Sequence, residues 1–215
     1  MRNSFERLSG YTGGAFEHEL LGEIVCGWDG GLYIGLLEKG DRVSAEALVD
    51  KWAEEHLSAE AFSHWDRSGS TNRKRLIMDW ASDNQPADWD PRDPRHIELN
   101  GDQPIRKNIL DGDFHDYVAE KMGLEDPNEI EIITTVGTPV DTKWRTDCYL
   151  RFKGRVFTID VTLRDKEGSS GADYVMKIKD PGSRQELEEQ ATVIAGRFQE
   201  SIRLQEDNEK RRRVA

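Results

Sequence analysis

Cysteine is nearly missing from this chain of 215 residues: there are two, Cys26 and Cys148, far apart, with no Cys-x-x-Cys pair and no histidine cluster at zinc spacing. A disulfide framework and a thiolate metal site are therefore excluded. Long apolar runs are missing too. No stretch approaches the roughly 18 residues a membrane helix needs, and MRNSFERLSG at the N-terminus has no apolar signal core. The expectation is a cytoplasmic protein with neither membrane span nor secretion signal. Net positive charge is lacking, since 30 Lys+Arg stand against 42 Asp+Glu for a formal charge of −12. That disfavours non-specific binding of nucleic acid through a broadly basic surface and leaves room for a local basic site. No Gly-x-Ser-x-Gly element and no phosphate-loop glycine pattern occurs, and His18, His56, His64, His96 and His115 share no triad-like setting. Acyl transfer and nucleotide triphosphate hydrolysis are disfavoured accordingly.

What is present suffices for a core. Hydrophobic residues make up 36%, and the chain carries 6 Trp, 7 Phe and 5 Tyr. A mean hydropathy of −0.76 marks it as a polar, globular sequence. The negative charge is unevenly spread: residues 1–85 hold 15 acids against 9 bases, whereas residues 105–215 hold 22 against 19. Four of the seven prolines, Pro86, Pro91, Pro94 and Pro104, fall in an Asp-rich stretch without apolar periodicity. This reads as a linker over 86–104. It separates an acidic N-terminal module, 1–85, from a second domain, 105–205, with a charged and frayed tail over 206–215.

In the first part, Ala15 to Val25 has helix-like apolar spacing, and WDGGLYIGLL reads as a hairpin through Asp29-Gly30-Gly31. Ser44 and Ser58 read as N-caps of two amphipathic helices, with Leu48, Trp52 and Ala53 inward in one and Phe62 and Trp65 in the other. The following helical stretch opens on the basic triplet Arg73, Lys74, Arg75, which reads as a solvated helix start.

The second part reads as helix, several strands, helix. Asp113 caps FHDYVAEKM, with Gly123 as its stop. EIEIITTV is a strand, a Gly-Thr-Pro turn follows, and then come DCYLRF, a Lys-Gly turn, RVFTIDVTLR and DYVMKIK as strands. Ser183 and Glu186 form a capping box for a long helix whose Leu187, Ala191, Ile194, Phe198 and Ile202 share one face. The fold class expected is α+β (mixed α/β), a sheet flanked by helices.

A two-residue loop at Lys153-Gly154 pairs Phe152 with Arg155, Leu150 with Phe157, Cys148 with Ile159 and, by extension, Asp147 with Asp160. Cys148, Leu150, Phe152, Phe157, Ile159, Val161 and Leu163 then share the face that packs. Asp147, Tyr149, Arg151, Thr158, Asp160 and Thr162 share the other. Two aspartates opposite each other lie about 5 Å apart at their stems and repel. A divalent cation with oxygen ligands compensates them; so does a salt bridge. If Asp173 pairs with Arg164, Lys177 lands opposite Asp160 on the same face.

This order of elements, with Thr146-Asp147 opening one strand and Ile159-Asp160-Val161-Thr162 in the next, resembles the core of the PD-(D/E)xK, or restriction endonuclease-like, superfamily over about residues 105–205. The resemblance implies Asp147 as the first metal-binding aspartate, Asp160 as the second acid, the Val161 carbonyl as a further ligand, and Glu120 or Asp116 of the preceding helix as an optional one. It implies Mg²⁺ or Mn²⁺ as cofactor and nucleic acid, DNA above all, as substrate. Where the family's motif ends in Lys, this chain has Thr162. A lysine from another element would then replace it, Lys177 first and Lys143 or Lys166 behind it. Each residue also has a plainer reading: Asp147 capping a strand or pairing with Arg145, Asp160 paired with Lys177 or Arg151, Thr162 an ordinary strand residue on a solvated face. Cys148 reads as an inert core thiol. Trp144, between Lys143 and Arg145, is the tryptophan placed to meet a nucleic-acid strand. The reading is a metal-dependent, DNA endonuclease-like phosphodiesterase. Its rival is a non-catalytic protein whose acidic surface contacts a basic protein partner or mimics nucleic acid.

Overall fold

Two residues in the left-handed region, Lys153 at φ 48° and Gly154 at φ 72°, close a tight hairpin in the computed structural model, which describes residues 21–85, 113–162, 171–179 and 183–214. Paired positive φ angles match the twist of antiparallel strands, so the turn fixes one register. Leu150 faces Phe157 and Cys148 faces Ile159, as the turn length predicts.

In chain order the described elements are α1 (Gly30–Glu38), α2 (Arg42–His56), α3 (Ala59–Trp65), α4 (Ser70–Asp83), α5 (Asp113–Met122), a 3₁₀ turn (Pro127–Glu129), β1 (Ile130–Thr134), α6 (Pro139–Trp144), β2 (Cys148–Phe152), β3 (Arg155–Thr162), β4 (Tyr174–Lys177) and α7 (Arg184–Val214). The sheet order is β1-β2-β3-β4. Its first three strands form an antiparallel meander, and β4 pairs with β3 in parallel. No described helix is long and apolar enough to cross a membrane.

Both faces of the sheet are covered. On one, α5 and α7 bury Phe114, Val118, Ile194 and Phe198 against Leu150, Phe157, Ile159 and Val161. On the other, Ile133 and Tyr149 join Val49, Trp52, Trp65, Ile77 and Met78 of the N-terminal helices in a second core. The face expected to be solvated is instead buried at Asp147, Tyr149, Thr158, Asp160 and Thr162, with Arg151 partly exposed, and the two parts of the chain share a core. Their junction is polar as well as apolar: Tyr149 Oη donates to the Met78 carbonyl at 2.8 Å and Trp28 Nε1 to Thr142 Oγ1 at 3.1 Å. The Gln85 amide exchanges hydrogen bonds of 3.0 and 3.1 Å with the Thr134 backbone, closing the β1 edge.

Several expected elements change form. Asp29-Gly30-Gly31 opens α1 instead of a hairpin, because the Asp29 carboxylate accepts from Leu32 N–H at 2.8 Å as an N-cap. The cap of α2 is Asp41, three residues before Ser44, whose N–H it accepts at 3.0 Å. Ser58 caps α3 as expected. Thr138 caps a short helix where a plain turn was expected, with Pro139 at its first position. The tail continues α7 to Val214, anchored by Arg155 on Glu209 at 2.8 Å. The proposed helix at Ala15 to Val25 lies outside the described residues up to position 20 and has ended by Gly22. The linker 86–104, Leu163, Arg164 and Lys166 lie outside them altogether.

Candidate functional site

The pairing of β2 with β3 ends at Cys148 and Ile159. One residue beyond, Asp147 N–H still donates to the Ile159 carbonyl at 2.9 Å, and its Oδ2 accepts from Val161 N–H at 2.6 Å. The carboxylate thus takes the place of a main-chain acceptor and reaches the peptide that follows Asp160. The simple picture of two carboxylates facing each other across a ladder is corrected in this respect: Asp147 caps the ladder where β2 stops and β3 continues. Both aspartates are buried, Asp147 at 3% and Asp160 at 0% exposure.

Cys148 reports on both charges. Its thiol is held well above the usual range, first by burial, then by the negative charge of Asp147 and of Asp160. Protonated, and on the packed face, it is the inert core thiol the sequence suggests.

The direction of β4 was expected to be antiparallel and is parallel. Eleven residues separate Thr162 from Tyr174, enough chain for a return to the middle of β3, and Asp173 fixes the landing point. Its carboxylate accepts from Thr158 N–H and Oγ1–H, both at 2.8 Å, while its own N–H donates to Thr158 Oγ1 at 2.9 Å. The resulting register places Val175 beside Asp160 and Lys177 beside Thr162. Lys177 therefore misses the position opposite Asp160. It stands instead across from the residue that occupies the motif's lysine position, on the same face as Asp160.

The remaining candidates separate. Glu120 is 67% exposed, pairs with Lys121 at 3.2 Å, and sits on α5, across the sheet from the Asp160 face. Asp116, on the same helix, is 69% exposed beside His115. Neither joins the aspartates, because the helix that carries them packs on the opposite side. Among the described residues no three His, Cys, Asp or Glu side chains gather into a metal-binding group. Lys143 is committed to Glu46 and lies 4.9 Å from the Trp144 ring. The Trp144 indole donates to Ser70 Oγ at 3.0 Å and packs on the second core, so it is a junction residue in this structure.

Lys74 corrects the reading of the basic triplet as a solvated helix start. It is half-buried, and its Nζ donates to Thr146 Oγ1 at 2.9 Å and to the Gly171 carbonyl at 3.3 Å. Burial lowers its pKa and the nearby Asp173 partly restores it. Its neighbours behave differently: Arg73 stacks over Trp65 and pairs with Asp50, and Arg75 is exposed near Asp79. The available signal was spacing, since Lys74 precedes the buried Ile77, Met78 and Ala81 by three, four and seven residues.

Carboxylate and main-chain carbonyl oxygens, the atom types that Asp147, Asp160 and Val161 carry, are ligands that Mg²⁺ and Mn²⁺ take in preference to zinc. Comparison with protein-family models, with curated proteins and with solved structures finds no match to this chain.

Proposed function

We propose that the chain is a metal-dependent phosphodiesterase of the restriction endonuclease-like kind, acting on DNA. The observation that carries this reading is the β3–β4 register: Lys177 is the cross-strand partner of Thr162, two residues after Asp160, where the family's motif has its lysine. The meander that brings Asp147 to the peptide after Asp160 supports it further.

Asp147, Asp160 and the Val161 carbonyl would hold a divalent ion. When bound, such an ion supplies an acidified water and polarises a phosphate oxygen. The chain's own groups do the rest. Val161 N–H donates to one oxygen of Asp147 and so fixes the placement of its buried carboxylate beside the peptide that follows Asp160. Asp160, buried on the sheet, is held in place by the strand itself. Lys177 shares that face by its register, and its ammonium would supply positive charge to the phosphorane-like transition state.

Plasmid DNA incubated with Mg²⁺ or Mn²⁺ tests the reading. Cleavage by the wild-type chain that Asp160→Ala abolishes supports it. Absence of cleavage together with tight binding to a basic protein favours the acidic-surface reading instead.

A further inference from the structure

Lys74 occupies a junction for which the two aspartates alone give no reason. It belongs to α4, in the N-terminal layer, yet its ammonium touches two segments of the second half. One contact is Thr146, the residue before Asp147, whose carbonyl in turn accepts from Thr135 Oγ1. The other is Gly171, which seats so closely on the Trp144 carbonyl that a Cβ would lie 2.4 Å from it. Two residues on, Asp173 is clamped to Thr158 by three hydrogen bonds. Thr158 precedes Asp160 by two on the same face. A single ammonium thereby ties the residue before Asp147 to the segment that Asp173 pins at Thr158, two residues before Asp160.

An alkyl side chain would fill the same space without the cost of desolvating a charge. What the ammonium alone provides is directional donation to two oxygens at once, from Thr146 and Gly171. We infer that Lys74 is a positioning residue for the carboxylate pair: it sets the placement of Asp147 relative to Asp160 and through it the affinity for a divalent cation. This rests on the reading of those aspartates as cation ligands. It gives the N-terminal helices a part in the site.

The test is calorimetric titration of Mn²⁺ into the full chain and into Lys74→Met, Lys74→Arg, Thr146→Val and Asp160→Asn, with thermal unfolding of each recorded without metal. Lys74→Met is expected to weaken Mn²⁺ binding about 10- to 100-fold, the range seen for groups that orient ligands. Lys74→Arg should recover most of that loss, and Thr146→Val should show a smaller loss in the same direction. Wild-type Mn²⁺ affinity in Lys74→Met, with affinity lost in Asp160→Asn, overturns the role of Lys74 alone. Should Lys74→Met fail to fold, unchanged affinity in Thr146→Val overturns it. A wild-type chain that binds no Mn²⁺, or an Asp160→Asn variant that binds as tightly as wild type, overturns this role and the cleavage reading together.

Discussion

Lys177 and Thr162 are register partners across the one parallel strand pair among the described residues. A lysine on β4 therefore stands beside the β3 position where a Lys would complete an Asp-x-Lys motif. Neighbouring strands lie about 4.8 Å apart, a distance that a lysine side chain spans.

If Lys177 supplies transition-state charge, Lys177→Ala should lower cleavage about 10²- to 10³-fold, the cost of removing one such donor. Mn²⁺ affinity should stay unchanged. Adding Thr162→Lys to that variant returns an ammonium to the same face and should restore part of the rate. A double variant no faster than Lys177→Ala would count against the substitution of one strand's lysine for another's.

Asp147 also has a structural duty. Its buried carboxylate accepts from Val161 N–H. Asp147→Ala should therefore destabilise the fold by about 1–3 kcal/mol, the cost of stranding a buried donor. Asp147→Asn, which keeps a carbonyl oxygen, should lose less. Urea unfolding compares the two, and faster amide exchange at Val161 in the alanine variant would locate the loss.

The raised pKa of Cys148 gives a pH dependence with a definite sign. Above about pH 8.5 the unfolded chain releases the thiol proton while the native chain retains it. The native state then binds more protons, so stability falls as pH rises. This contribution approaches about 1.4 kcal/mol per pH unit. Stability curves of wild type and Cys148→Ala between pH 8 and 10 should converge as pH rises. Parallel curves would contradict the assignment.

Gly137 combines φ 82° with a site where a Cβ would meet the Ile24 carbonyl at 2.6 Å. The left-handed conformation alone costs a non-glycine residue about 1–2 kcal/mol. Gly137→Ala should exceed that in thermal unfolding, because Ile24 N–H also donates to Val136 at 3.0 Å and resists retreat.

The legible parts of this fold are those governed by neighbours in sequence. Lys153-Gly154 admits one kind of turn, and with it the whole β2–β3 register followed. Ser58 and Gly123 bracket helices by local hydrogen bonding, as read. Asp29-Gly30-Gly31 misled because the same three residues suit a tight turn or a capped first helical turn, and the Leu32 N–H decides between them. The direction of β4 depends on Asp173 finding Thr158 fifteen residues away, which no local pattern encodes. The cover over Ile133 and Tyr149 is likewise tertiary, since it comes from helices more than fifty residues earlier in the chain. Among the candidate residues, the neighbourhood of Asp147 and Asp160 followed from the hairpin turn, whereas Lys177 was placed by an antiparallel register that the parallel pairing of β4 overturns. Glu120 did not join them because helical spacing alone cannot tell which side of the sheet a helix takes. Lys74 was hidden by its basic neighbours, although it alone of the triplet shares a face with Ile77 and Met78.

The most direct measurement is a crystal soaked in Mn²⁺ and recorded at an anomalous wavelength. A peak bounded by the carboxylates of Asp147 and Asp160 is expected, with oxygen ligands at about 2.1 Å. Well-ordered carboxylates with no peak between them, or a peak held by other residues, would contradict the cation site.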